Sequence, residues 1–433
     1  MAPHLLGNGR AEFASATPLR TNCVPPPIDH LSNRHGIMTM AVRFHSARRH
    51  DLIVIASLAL APAIGLGIAR FAYALVLPDM RADLGWTYAD AGWMNTTNAA
   101  GYLLGALLAA RSSARFGAFR AVVAGAWACI LALLLCAFFR HPLPLNVARL
   151  LAGTGGGLTF VSGGVLAVRV AQRNPERSAF MLGLFYAGPG LGILLSGIAV
   201  PAILYRSGPE SWATAWAALA ILSVPLAIGL LAARGENIVT SSVAREQPRY
   251  KSMLWLLPGY AVFGAGYIAY MTFMIAWVQN SGGSAGFQAL FWCTIGLATI
   301  ASPWLYAAIL KRFRHGNAFA ILTGITAIGA ALPLLSEGVP PLLTSAAVFG
   351  SAFFSVVAST TAFVRRNYRP EQWAAAIGML TIFFGIGQML GPIATGFIND
   401  LMENLAGGLW TSALLLFVAM LLAKLQRDQS FGP

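Results

Sequence analysis

Charge is scarce in this chain. Only 10% of its 433 residues are Asp, Glu, Lys or Arg, where a soluble globular domain carries about 25%. Lysine is nearly absent, with Lys251, Lys311 and Lys424 alone, and the 15 acidic residues face 29 basic ones. Hydrophobic residues make up 57% of the chain and the mean hydropathy is +0.67. Too little polar surface exists to coat a soluble chain of this length, so lipid has to supply the exterior. That argues against a soluble enzyme. It also argues against a nucleic-acid binder despite the formal charge of +14, because basic loops on so apolar a chain orient helices in a membrane. Cysteine is equally sparse. Cys23, Cys129, Cys136 and Cys293 have no metal-ligand spacing, and Cys129 and Cys136 read as small buried hydrophobes within one apolar run. No metal and no cofactor is expected.

What is present is a succession of apolar runs of about 20 residues, the length that crosses a hydrocarbon core of roughly 30 Å. Twelve are predicted: 52–77, 90–110, 118–139, 145–168, 179–204, 212–233, 253–278, 286–310, 317–335, 341–363, 373–398 and 409–424. Backbone groups cannot go unpaired in lipid, so each run is expected to be a helix. Residues 1–50 hold Pro25-Pro26-Pro27 and no run long enough for a signal peptide or a span. They are expected to form a disordered cytoplasmic tail, and Met38 or Met40 offers a start that would leave every span intact. The predicted organisation is an N-terminal tail (1–50), a six-helix bundle (51–233), a cytoplasmic linker (234–252), a second six-helix bundle (253–424) and a short cytoplasmic tail (425–433).

Basic residues set the orientation. Connectors 2–3, 4–5, 6–7, 8–9 and 10–11 together with the C-terminal tail carry 18 of them, counting span edges, whereas the opposite connectors carry Arg81, Arg140 and Arg206 only. Positive loops stay in the cytoplasm, so both termini are expected there.

The two halves also resemble each other. Gly65-Leu-Gly67-Ile-Ala-Arg70-Phe71 in the first span parallels Gly264-Ala-Gly266-Tyr-Ile-Ala269-Tyr270 in the seventh. Pro175-Glu176 precedes the fifth span as Pro370-Glu371 precedes the eleventh, and Arg115-Phe116-Gly117 parallels Arg312-Phe313-Arg314. Such repeats are a mark of secondary transporters.

At Gly67-Ile-Ala-Arg70-Phe71-Ala-Tyr73, Met80-Arg81-Ala-Asp83-Leu84-Gly85-Trp86 and Asn98-Ala-Ala-Gly101-Tyr102 the sequence resembles the major facilitator superfamily, in its YbfB/YjiJ-type branch. The resemblance covers about residues 50–425. It implies an all-α membrane protein of twelve transmembrane helices in two pseudo-symmetric six-helix bundles, rocking about a central site with helices 1, 4, 7 and 10 innermost. Three motifs carry over. Arg115, Gly117 and Arg120 match the loop 2–3 motif, but Ala114 stands where the superfamily has Asp. Arg149-Leu-Leu-Ala-Gly153 matches the fourth-span motif. Gly188-Pro189-Gly190 matches the fifth-span motif of antiporters, and the eleventh span offers Gly391-Pro392. Arg115, Gly117, Arg120, Gly188, Pro189, Gly391 and Pro392 are therefore expected to serve gating and conformational change.

Within the predicted spans the chemistry is spare. No histidine, aspartate or glutamate lies away from a span end, which leaves Arg70 and Arg149 as the two full charges at depth. An arginine there costs at least roughly 2.5–3.5 kcal/mol and persists where it meets water, a partner or a ligand. Arg70 is expected about 10 Å from the outer end of its helix and Arg149 about 6 Å, at 1.5 Å rise per residue. A guanidinium fork suits a carboxylate or phosphate. The competing role is structural, with the side chain reaching the interface or bonding backbone carbonyls at a helix break. Asn95, Asn98 and Tyr102 share one helical face, and with Tyr267 and Tyr270 they are candidate cavity walls. Tyr73, Tyr186 and Gln388 complete the candidate substrate-binding set.

These features predict a monomeric secondary transporter of the bacterial inner membrane. It would move a small organic solute, anionic or carboxylate-bearing, by alternating access. A coupled proton would sit on Asp79, Asp83 or Asp90, or on the substrate itself. The expected partners are the small-molecule substrate and the lipid bilayer, with no nucleic acid. Efflux of lipophilic compounds and a non-transporting sensor with the carrier fold are the alternatives.

Overall fold

The computed structural model describes residues 49–239, 248, 250–336 and 338–427. Residues 1–48 of the expected tail, much of the linker and residues 428–433 lie outside the described residues. Every regular element among the described residues is helical. Twelve long helices follow one another: α1 (Arg49–Leu84), α2 (Tyr88–Phe116), α3 (Ala118–Phe138), α4 (Pro142–Gln172), α5 (Ser178–Ser207), α6 (Trp212–Gly229), α7 (Leu256–Asn280), α8 (Ala285–Leu305), α9 (Asn317–Leu335), α10 (Val339–Asn367), α11 (Pro370–Leu401) and α12 (Ala406–Leu425). Eleven of them are both long and apolar enough to cross a membrane. The exception is α2, long enough at 29 residues, whose hydropathy is lowered by the run Asn95 to Asn98.

Polar residues that looked like the end of a span extend α1 beyond residue 77. Asp79 accepts from the backbone N–H of Glu210 at 2.9 Å, and Asp83 accepts from the Trp212 indole at 2.6 Å and from Arg140 at 2.9 Å. With those partners the helix runs to Leu84 and stops where Gly85 takes φ +64 and returns its N–H to the Arg81 carbonyl. A capping box between Thr87 and Asp90 then starts α2. At the end where α1 starts and α12 finishes, Arg173 bridges Asp51 at 3.2 Å and Glu236 at 2.5 Å. The hydrogen bond to Glu236 raises the Arg173 pKa further above its ordinary value.

Packing repeats between the halves. In the first, α4 lies against α2 and α3, and α1 against α5; in the second, α10 lies against α8 and α9, and α7 against α11. Across the seam, α5 packs on α8 and α2 on α11. The last part of α1 reaches α7, and these two are the most enclosed of the eleven apolar helices. Small residues permit this closeness. A Cβ on Gly153 would stand 2.0 Å from the Asn98 carbonyl oxygen, and one on Gly101 2.1 Å from that of Leu150. The spatial register differs slightly from the one read in the sequence. Gly67 faces α5 and Gly264 faces α11, its counterpart, so the equivalence runs 67 to 264 and not 67 to 266.

Candidate functional site

From Ala63 to Phe71, α1 winds as a π-helix. Wide turns of this kind cluster at functional sites, and here the glycines let neighbours press into the helix. A Cβ on Gly67 would lie 2.5 Å from the Pro189 carbonyl oxygen of α5, and one on Gly65 2.3 Å from the Thr159 hydroxyl of α4. Arg149 closes the end of the wide segment. Its Nη1 donates to the Ala69 carbonyl at 2.6 Å and its Nη2 to the Arg70 carbonyl at 3.4 Å. The guanidinium is wholly buried over the rings of Tyr73 (4.9 Å) and Trp216 (5.7 Å). Arg149 therefore departs from its expected place at the ligand: it ties backbone at a helix break. Tyr73 departs with it, donating its hydroxyl to the Ala91 carbonyl at 2.9 Å.

Arg70, one residue beyond the Ala69 carbonyl, turns the other way. Its side chain is buried, 3% exposed, and neither Nε nor Nη2 has a hydrogen-bond partner. The Tyr102 ring lies 4.9 Å below the guanidinium, a cation–π contact worth about 0.5–2 kcal/mol. Among the described residues no carboxylate pairs with either arginine. The extension of α1 also shifts Arg70 from the expected outer position to near the middle of the 36-residue helix.

Arg70 lines a cavity of about 20 Å³ between the halves, room for a single water molecule. The first half contributes Leu66, Arg70 and Phe71 from α1, Tyr102 from α2 and Phe160 from α4. The second contributes Tyr267 from α7, Phe353, Phe354 and Val357 from α10, and Phe384 and Gln388 from α11. The Gln388 amide donates to the Tyr267 hydroxyl, and its Oε1 is buried without a partner. The Tyr267 ring is stacked between Phe353 at 5.8 Å and Phe384 at 5.7 Å.

Of the ten candidate substrate residues, Arg70, Tyr102, Tyr267 and Gln388 thus come together. The other six are placed elsewhere. Besides Arg149 and Tyr73, Asn98 donates to the Arg149 carbonyl at 3.0 Å and Asn95 donates to Thr272 of α7 at 2.6 Å. Tyr270 pairs its hydroxyl with Ser345 at 2.6 Å and stacks on Phe349. Tyr186 packs behind the wall, against Phe160 and Phe185. The phenylalanines were missed because a ring in an apolar span gives no sign of which way it faces; the adjacent pair Phe353-Phe354 was the available hint.

The expected gating residues fall into two groups. Around the loop motif, Gly117 takes φ +91, and a Cβ there would collide with Asn237 at 2.2 Å. Asn237 Oδ1 accepts from the backbone N–H groups of Phe119 and Arg120, capping α3 from the linker. The Arg115 guanidinium lies over Phe116 at 5.3 Å. The Gly-Pro pairs make the same kinds of contact at different heights in the two halves, since Gly391 lies about two turns beyond the counterpart of Gly188. Gly188 abuts the Ala59 carbonyl of α1 while its neighbour Gly190 abuts Gly296 of α8; Gly391 abuts the Ala265 carbonyl of α7 while the Pro392 carbonyl meets Gly92 of α2. Each pair joins the first helix of its own half and the opposing half.

The α2–α11 seam closes at the end away from the start of α1. A Cβ on Gly92 would stand 2.2 Å from the Pro392 carbonyl oxygen, and one on Gly396 2.2 Å from that of Tyr88. Thr96 donates to the Met389 carbonyl at 2.6 Å. Asp400, in the last turn of α11, accepts from the backbone N–H groups of Tyr88 at 2.7 Å and Ala89 at 2.8 Å. It caps the positive N-terminal end of α2 from the other half. Of the carboxylates expected to carry a coupled proton, Asp83 and Asp90 are engaged as described, and Asp79 keeps one buried oxygen unpartnered.

Solved structures share this architecture. A point mutant of the nucleoside transporter NupG aligns over 86% of this chain and 97% of its own, with 16% identity and a TM-score of 0.65. A bacterial homolog of the human lysosomal transporter Spinster, inward-facing and unoccupied, aligns over 88% and 99%, with 14% identity and a TM-score of 0.67. At those identities they speak for the fold alone. A chloramphenicol resistance protein of Streptomyces lividans is 26% identical over 383 residues, 83% of this chain and 92% of that protein. The profile of the family described as "Uncharacterised MFS-type transporter YbfB" matches residues 62–424. With that match running from within α1 to the last turn of α12, the chain belongs to the YbfB-type family of major facilitator superfamily transporters.

Proposed function

We propose that the protein is a secondary carrier that moves a small organic anion across the bacterial inner membrane by alternating access, with Arg70 as the group that holds the anion. One observation carries the reading: the Nε and Nη2 donors of Arg70 are buried, unpartnered and adjacent on one edge of the guanidinium. That edge presents two parallel N–H bonds, the arrangement that receives both oxygens of a carboxylate. A buried cation without a counter-ion is costly, and an anionic cargo removes that cost only while bound. Among the described residues no carboxylate or histidine lines the cavity, so a coupled proton would ride on the cargo. The excess of basic residues in the loops at the terminal end supports a cytoplasmic position for that end. Protein reconstituted in liposomes tests the reading. Uptake of a labelled carboxylate is expected to be lost in Arg70→Gln, with the variant still folded; unchanged uptake would remove Arg70 from the mechanism.

A second reading, efflux of lipophilic compounds, draws on the aromatic cavity wall and on the relative named for chloramphenicol resistance. Under it a neutral aromatic drug would stabilise the purified protein and Arg70→Gln would leave that effect intact.

A further inference from the structure

The cavity wall carries a second kind of selectivity. Seven of its eleven residues are aromatic, and their rings meet both within and across the halves. Within the second half Tyr267 stacks on two neighbours, its plane 5° from that of Phe384 and 21° from that of Phe353, while Phe353 and Phe354 meet edge to face at 74°. Across the seam the rings also meet edge to face. Phe71 and Phe353 meet at 6.1 Å and 81°, and Phe160 and Phe354 at 5.8 Å and 76°. These two cross-seam pairs are contacts between the halves, so they break whenever the halves part around a cargo. Parting leaves Phe353 and Phe354 without their cross-seam partners, in the cavity that Arg70 also lines.

We infer that the cargo is a planar aryl carboxylate, its carboxylate on Arg70 and its ring replacing the Phe71 and Phe160 rings against Phe353 and Phe354. The inference rests on the proposed anion carrier and adds the chemical class. An aromatic edge or face matches the ring quadrupoles that the parted wall exposes, whereas a saturated ring of the same size offers only area. The free edge of Arg70 and the cross-seam rings then act on one molecule, each on a different part of it.

Four probes separate charge from flatness: benzoate, benzamide, cyclohexanecarboxylate and cyclohexanecarboxamide, each titrated into the purified full-length protein by calorimetry and by thermal shift. Benzoate is expected to bind tightest, about two- to twelvefold tighter than cyclohexanecarboxylate, the factor that corresponds to one aromatic pair beyond area burial. In Phe353→Leu that preference should fall toward unity while both carboxylates still bind. Equal or tighter binding of cyclohexanecarboxylate in the unaltered protein would overturn the aryl inference and leave the anion carrier standing. Benzamide binding as tightly as benzoate, or no binding by any of the four, would overturn both.

Discussion

Two glycines that meet nearly identical obstacles should fail in opposite ways. Gly396 of α11 faces the Tyr88 carbonyl across the seam, and a Cβ there would sit at 2.2 Å; Gly153 of α4 faces the Asn98 carbonyl within one half, and a Cβ there would sit at 2.0 Å. Either alanine substitution forces helices apart by about 1 Å, and overpacking of this kind costs typically about 1–3 kcal/mol. In a carrier that rocks, the strain at Gly396 is relieved by opening the seam. An energy of about 1–3 kcal/mol shifts that equilibrium roughly 5- to 150-fold. Strain at Gly153 has no such release and is lost from folding stability. The reporter is Thr272→Cys, whose side chain is buried against Asn95 beside this seam, in a background with the native cysteines replaced. A membrane-impermeant maleimide should label it at least about fivefold faster when Gly396→Ala is added, with little change in melting temperature. Adding Gly153→Ala instead should lower the melting temperature and leave labelling unchanged. If Gly396→Ala merely melts early, with no gain in labelling, the seam is fixed packing and the gating argument is refuted.

Three further outcomes follow from the same geometry. Asp400→Ala removes the two hydrogen bonds that cap α2 from the other half and should speed labelling of the same reporter; Asp400→Asn, which keeps one acceptor, should fall between it and the parent. Arg149→Met should weaken carboxylate binding in calorimetry although Arg149 lies outside the cavity, because the carbonyls of Ala69 and Arg70 lose their donor and Arg70 its fixed backbone; unchanged affinity would show that the tie has no bearing on Arg70. Arg70→Gln should melt no earlier than the parent in the absence of ligand, since it removes a buried charge that has no counter-ion, and a fall of several degrees would mean that Arg70 is held by structural partners.

The helices were legible because hydropathy is a local property, and a run of 20 apolar residues needs no partner to declare itself. Arg70 was legible for a related reason: a charge in such a run requires an explanation wherever it points. Which explanation applies was not. Arg70 and Arg149 look alike in the sequence, and what separates them is a π-helix whose only local trace is Gly65 and Gly67. Its carbonyls take up the guanidinium of a residue 80 positions away. The polar end of α1 was misjudged on the same grounds, since Asp79 and Asp83 find their partners at Glu210, Arg140 and Trp212. Asn95 and Asn98 share a face as the spacing implied, but that face meets α7 and α4, where the amides bond between helices.

The two halves have kept their frame and diverged at the cavity. Gly67 and Gly264 take equivalent positions, and the same offset pairs Arg70 with Tyr267, which meet at the cavity from opposite sides. One half supplies the cation and the other supplies the ring stack and the Gln388 amide. A cargo that uses only one of them gains the same contact whether the seam is open or closed, and a ligand with equal affinity for two states shifts neither. A cargo that spans both binds better once the parted halves close over it, and so favours closure of the seam. By that argument a carboxylate without a ring should occupy Arg70 yet leave labelling of Thr272→Cys unaltered, whereas benzoate should slow it. Equal protection by acetate and benzoate at saturation would mean that charge neutralisation alone draws the halves together.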